Sequence, residues 1–217
     1  MIEISNVATY GWQAAIRGMR NPLNSWDKSD SHTIVKDGRI YEQEYTIGDN
    51  DWKLMHTLIA SGTDHSKFMR MIGVSLDINA PLYWWKEFDT YKVGTVANSC
   101  STMHKIQAKE FSKDDFSIEH LQGDCLVAMD NVIHMLNVHR QNYNFLKDKK
   151  YWWQMIQLLP ASYNQKRTVT LNYQVLRNIY FARKNHKLDE WHIFCNWIMS
   201  LPYHELITTD YRKAEKE

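Results

Sequence analysis

Apolar residues in this chain switch repeatedly between helical and alternating spacing, and no Pro-, Gly- or Ser-rich stretch separates the switches. Helical and strand segments must then share a core. The chain is therefore expected to form one mixed α+β domain over residues 1–205, followed by a charged C-terminal tail, 206–217.

Along the chain, Ala8, Trp12, Ala15, Ile16 and Met19 fall at helical spacing and predict a helix over 8–20, ended by Asn21-Pro22. Thr33 to Tyr41 reads as a β-hairpin turning at Asp37-Gly38, because that dipeptide tolerates the positive φ of a tight turn. A helix is expected from Asp51 to Ser61 with Gly62 as its stop. Phe68, Ile72, Val74, Leu76 and Ile78 predict a strand over 68–78, broken by Asn79-Ala80-Pro81, and an aromatic-rich helix from Pro81 to about Tyr91 follows. Residues 93–104 are small and polar and read as loop or edge strand. Ser117 is placed as the cap of the longest buried helix, carrying Ile118, Leu121, Leu126, Met129, Val132, Ile133 and Leu136. Asp148 caps a helix that Pro160 stops, and a last helical tract runs from Thr170 to Leu201, bent around 184–189.

The formal net charge of +1 excludes a protein that coats nucleic acid, so any anion must be held by local placement of Lys and Arg. Cys100, Cys125 and Cys195 are odd in number and widely spaced, which argues against a disulfide framework and for a reducing, cytoplasmic setting. Neither a signal peptide nor a membrane-spanning run is expected. Ten histidines match no standard ligand spacing, so no metal is expected. With eight glycines and no Gly-x-Gly-x-x-Gly, P-loop or Gly-x-Ser-x-Gly, the nucleotide-binding and hydrolase signatures are absent. Ser99-Cys100-Ser101 could hold a nucleophile but has no local base, and reads first as a loop.

The C-terminal tract is more informative. On one continuous helix Asn172, Leu176, Ile179, Arg183, His186 and Glu190 form a single stripe, which mixes polar groups into an apolar face. An inward Arg183 could grip an anionic ligand, or could form an internal ion pair with Glu190.

The segment LLPASYNQKRTVTLNYQVLRNIYFARKNHKLDEW resembles the C-terminal half of flavin-dependent thymidylate synthases, which follow a Leu-Pro with an Asn, a second Asn six residues on, an Arg five further and a nearby His. Here these are Leu159-Pro160, Asn172, Asn178, Arg183 and His186, with Gln174 where an Arg is common. Upstream, His65-Ser66-Lys67-Phe68 resembles the family's His-x-x-Pro-Phe-Glu-His strand entry without its Pro and second His. Thr90-Tyr91-Lys92 falls at the family's Arg-His-Arg, and Asn98 to Met103 covers the Asn-Glu, Ser and Arg that follow. Of that signature Lys92, Asn98 and Ser101 survive, Glu and the last Arg have become Ser99 and Met103, and Ile156 and Gln157 stand where another Arg is frequent.

The resemblance covers about residues 52–195. It implies helices packed on an antiparallel-rich sheet, a homotetramer with sites shared between subunits, and conversion of dUMP to dTMP using FAD, NADPH and methylenetetrahydrofolate. By the same resemblance Thr90, Tyr91, Lys92, Asn172, Asn178, His186 and His65 would contact the cofactor. Glu87, Asn98, Ser99, Ser101 and Arg183 would contact the nucleotide, with Arg183 and Ser101 at the reacting centre. Loss of the arginines leaves open a second expectation, a family-fold protein that binds nucleotides or assembles without catalysing.

Overall fold

The computed structural model describes residues 1–36 and 39–211, with side chains outside 34–44. In chain order these form β1 (Glu3–Tyr10), α1 (Trp12–Arg20), β2 (His32–Lys36), β3 (Arg39–Thr46), α2 (Asp49–Ala60), β4 (Gly73–Pro81), α3 (Leu82–Phe88) and β5 (Val96–Ser99). They continue with α4 (Asp124–Leu146), α5 (Lys149–Leu158), β6 (Asn164–Asn172), α6 (Tyr173–Arg183), α7 (Asp189–Ile198) and α8 (Glu205–Thr208). The sheet order is β1-β4-β6-β5, β2-β3 forms a separate hairpin, and the pairing is antiparallel, so the fold is α+β. The chain divides into two compact units, one of residues 1–5, 77–90 and 97–168, the other of 6–76, 91–96 and 169 onward.

In the first unit, α4 packs on α5 over a core of Ile106, Phe111, Phe116, Met129, Leu136 and Met155. Trp84, Trp85 and Phe88 of α3 are buried and meet ring to ring at 5.0–5.3 Å. The Trp85 indole donates to the Gln165 carbonyl at 2.9 Å, and the Arg167 guanidinium lies 4.1 Å above its ring while pairing with Asp89 at 2.8 Å.

In the second unit, Trp12 meets Tyr173 edge-on at 5.1 Å, and the Tyr173 hydroxyl donates to the Pro202 carbonyl at 2.5 Å. Helix α1 is tied to α2 by a buried pair, Arg20 Nε to Asp51 Oδ1 at 2.6 Å. The other Asp51 oxygen accepts from the hydroxyls of Ser29 and Ser31 and the amides of Asp30 and Ser31. Burial pushes the Asp51 carboxyl up, but the hydroxyls of Ser31 and Ser29 and the Arg20 guanidinium together outweigh it and hold the pKa below the ordinary carboxylate value.

Several boundaries differ from the sequence reading. Ala8 belongs to β1, not to α1, because the chain turns at Gly11, where φ is +85° and a Cβ would collide with the Met71 carbonyl oxygen. The expected strand 68–78 is a 3-10 turn, Lys67–Arg70, followed by β4; Phe68 and Ile72 are buried by the turn, and an alternating pattern does not separate the two. Asn79-Ala80-Pro81 continues β4 and does not break it, since Pro81 keeps an extended backbone and needs no ladder donor at the strand end.

Ser117 does not cap α4; its hydroxyl donates to Asn164 Oδ1 at 2.8 Å, Gly123 precedes the helix, and Ile118 and Leu121 pack on the core before it begins. Helix α4 is the longest among the described residues, at 23, yet only Met129 and Leu136 in it are buried. Asp148 does cap α5, accepting from the Lys150 amide at 3.0 Å. Asp37-Gly38, the expected hairpin turn, lies outside the described residues.

The tract 170–201 is not one helix. Residues 170–172 end β6, where Val169 and Leu171 are buried in alternation, and residues 184–188 separate α6 from α7. Of the expected tail, residues 206–211 are packed: Leu206 and Ile207 are 0% exposed, and residues 212–217 lie outside the description. No described helix is long and apolar enough to cross a membrane.

Candidate functional site

Helix α6 begins and ends on groups that matter. At its start, Asn172 is the N-cap, its Oδ1 accepting from the Val175 amide at 3.0 Å. The loop after Lys92 approaches this cap: a Cβ on Gly94, where φ is +81°, would stand 3.0 Å from Asn172 Nδ2 and 3.2 Å from Val175. The positive φ favours glycine there, and the close side chains leave little room for a larger residue.

At its other end, Arg183 Nε donates to the Tyr91 hydroxyl at 2.9 Å, and its guanidinium lies 4.9 Å from the Trp191 ring and 5.7 Å from that of Tyr91. Trp191 is fully buried, with the His186 ring 6.3 Å away. The His186 Nδ1 accepts from the Leu188 amide at 3.2 Å, which shapes the turn between α6 and α7. Tyr91 and Arg183, 92 residues apart, are thus joined by a direct hydrogen bond. The single stripe expected on a continuous helix is replaced by this arrangement. Asn172 caps, His186 sits in a turn, and Glu190 is buried in the first turn of α7.

Asn178 lines a cavity of about 490 Å³ with Ser66, Gln174, Arg177, Phe181 and Tyr211. Buried Gln174 donates to Asn178 Oδ1 at 3.0 Å and accepts from the Ser66 hydroxyl at 3.4 Å. Arg177 lies over the rings of Phe181 and Tyr211 and donates to the carbonyls of Leu206, Ile207 and Thr209 at 3.3, 2.9 and 2.8 Å. His65 faces a different cavity of about 260 Å³, beside Asp64, Lys67 and Phe68.

The remaining residues belong to the other unit. Glu87 is half-buried near the end of α3, its carbonyl accepting from the Thr90 hydroxyl at 2.7 Å. Asn98 and Ser99 are exposed on β5. Ser101 accepts from the amides of Met103 and His104 at 3.2 and 3.0 Å, so its hydroxyl staples a turn. Cys100 is exposed, with its amide bonded to the Lys166 carbonyl at 2.9 Å.

A flavin dinucleotide needs a platform and donors for its ring edge, and cations for its diphosphate. The cavity at Asn178 supplies neutral amide and hydroxyl groups and aromatic rings, which fit a heteroaromatic edge. It does not fit the diphosphate, because Arg177 is engaged by three carbonyls of its own chain. Sequence reasoning missed Arg177, Tyr211 and Trp191. Arg177 and Trp191 lie within the segment that carries the resemblance without being singled out in it, and Tyr211 lies beyond it. Among the described residues no three His, Cys, Asp or Glu side chains gather as a metal site.

No protein-family model and no curated protein matches this sequence. Its fold matches the flavin-dependent thymidylate synthase ThyX from Helicobacter pylori, in two crystal structures with FAD and dUMP. The TM-score is 0.66 in both, with 15% identity, over 94% and 96% of this chain and 98% of the other chain. It is also similar to the UMP/dUMP methylase PolB from Streptomyces cacaoi bound with 5-Br dUMP, at TM-score 0.59 and 14% identity, over 96% of this chain and 94% of that one. The chain has a ThyX-like fold.

Proposed function

We propose that this protein binds a pyrimidine deoxynucleotide and transfers a one-carbon unit to its C5, as a flavin-dependent thymidylate-synthase-like enzyme acting on dUMP or a close variant. The observation that carries this reading is the contact between Arg183 and Tyr91, which joins positions 92 residues apart around a guanidinium framed by Trp191. Such a guanidinium suits a nucleotide phosphate or a polarised carbonyl. The fold supports the reading through its neighbours, which were crystallised with dUMP or 5-Br dUMP.

FAD, when bound, would supply the redox chemistry, with NADPH and methylenetetrahydrofolate as co-substrates. The chain's own residues then have binding and orienting work: Asn178 and Gln174 hold a ring edge, and Arg183 holds negative charge. Since this cavity lacks a diphosphate grip, that grip would come from another subunit in a shared site. The test is release of tritium from dUMP labelled at C5, with FAD, NADPH and methylenetetrahydrofolate present. Flavin uptake is read from the visible spectrum of the same sample. Tritium release with a bound-flavin spectrum is expected; a colourless protein that releases none overturns the reading.

A second reading, a nucleotide-binding protein without catalysis, draws on the engagement of Arg177 and Ser101 in the chain's own structure. It predicts dUMP binding without tritium release.

A further inference from the structure

The first unit holds a cleft that none of the family-matched residues except Met103 reaches. It has a volume of about 390 Å³ and lies between the 103–107 segment, the end of α4 and the start of α5. That size is in the range of small-molecule sites.

Two lysines line it. The Lys147 ammonium lies 6.0 Å from the Tyr143 ring centre, and that of Lys149 lies 5.9 Å from the Trp152 ring centre and 5.8 Å from that of Trp153. The acid between them in sequence, Asp148, is already engaged, accepting from the Lys150 amide at 3.0 Å and pairing with its ammonium at 3.1 Å. His104 lines the same cleft. Lys147 closes α4 with φ at +56°, a conformation that Gly or Asn adopts at lower energy, so a lysine there is held at some cost.

The floor is polar and incomplete. Gln107 Nε2 donates to the His104 carbonyl at 3.3 Å, which orients the amide and leaves its Oε1 buried without a partner. Trp152 is fixed by its indole donating to the Met103 carbonyl at 2.9 Å, so its ring orientation is set before any ligand arrives. Two lysines at one cleft favour an anion, and the aromatic walls favour a flat ring.

We infer that this cleft binds an organic phosphate monoester carrying a flat ring. The inference does not rest on the function proposed above, because the probe below reports on the cleft's lysines whether or not dUMP binds at Arg183.

The full chain is treated with limiting pyridoxal 5′-phosphate, whose aldehyde condenses with a lysine amine to an imine and water. Borohydride then fixes the adduct, and peptide mass spectrometry locates it. Lys147 and Lys149 should be labelled at least about tenfold faster than exposed Lys53 and Lys187, and pyridoxal without its phosphate should show no such preference. Phenyl phosphate should protect them at concentrations about tenfold below those needed for inorganic phosphate. Even labelling of all exposed lysines, or the same preference with pyridoxal, would overturn the site. Equal protection by phenyl and inorganic phosphate would overturn the ring-bearing ligand and leave a bare anion patch.

Discussion

Arg183 sits between two rings and one phenol hydroxyl, and its roles in ligand binding and in folding can be separated by substitution. Losing a charge-assisted contact costs about 1.5–3 kcal/mol, or roughly ten- to a hundredfold in affinity. Arg183→Ala should therefore weaken dUMP binding in calorimetry far more than it lowers the melting temperature. Arg183→Lys should restore little, because an ammonium neither spreads over Trp191 nor binds bidentately. A sharp loss of stability with unchanged affinity would make Arg183 scaffolding. Asp51 is the converse case. Asp51→Ala leaves the Arg20 guanidinium buried at 4% side-chain exposure with no carboxylate, and should destabilise the fold by about 3–5 kcal/mol in urea unfolding. It should leave dUMP affinity unchanged in the protein that remains folded.

At the scale of elements, the segment from α8 to Tyr211 is docked by three carbonyl contacts to Arg177 and by a hydrogen bond between Tyr211 and His56. Burial lowers the His56 pKa below its ordinary value of 6.5, against an opposing pull from Glu205. The folded imidazole therefore takes up a proton less readily than the unfolded one. Its contribution is complete above the unfolded value and is lost as pH falls below it through the folded value. Hydrogen-exchange protection of residues 205–211, corrected for intrinsic rates, should decline from about pH 7 to about pH 5. His56→Gln should flatten that dependence; an unchanged decline in the variant would place its cause elsewhere.

For the whole molecule, a homotetramer is expected, since a shared site could supply the diphosphate grip that the cavity at Asn178 lacks. Large exposed apolar side chains in the first unit, Phe145 at 87% and Leu146 at 52%, give a subunit interface something to cover. Light scattering at micromolar concentration should give four chains, and a monomer would count against both the assembly and the shared site.

Much of the architecture could be read from spacing alone. The hairpin, α2 and α5 were legible, and 93–104 was legible as loop or edge strand, because turn dipeptides, helical spacing and a capping Asp148 are local properties of the chain. Boundaries were less legible. Gly11, Pro81 and Asn172 end or begin elements according to what approaches them from elsewhere in the chain, as the Met71 carbonyl does at Gly11.

The candidate site followed the same division. Asn172, Asn178, Arg183 and Tyr91 were recognisable by position, yet nothing local says that Asn172 serves its own helix or that Ser101 staples a turn. The sequence by itself determined the hairpin, α2 and α5 and which residue types were available for binding, but not β1 or β6. Only the tertiary structure decided that Arg183 meets Tyr91 and Trp191 while Arg177 turns to its own chain's carbonyls. The reason is physical: periodicity is set by neighbours three or four residues away, whereas a guanidinium's partner is set by where the chain returns after dozens of residues.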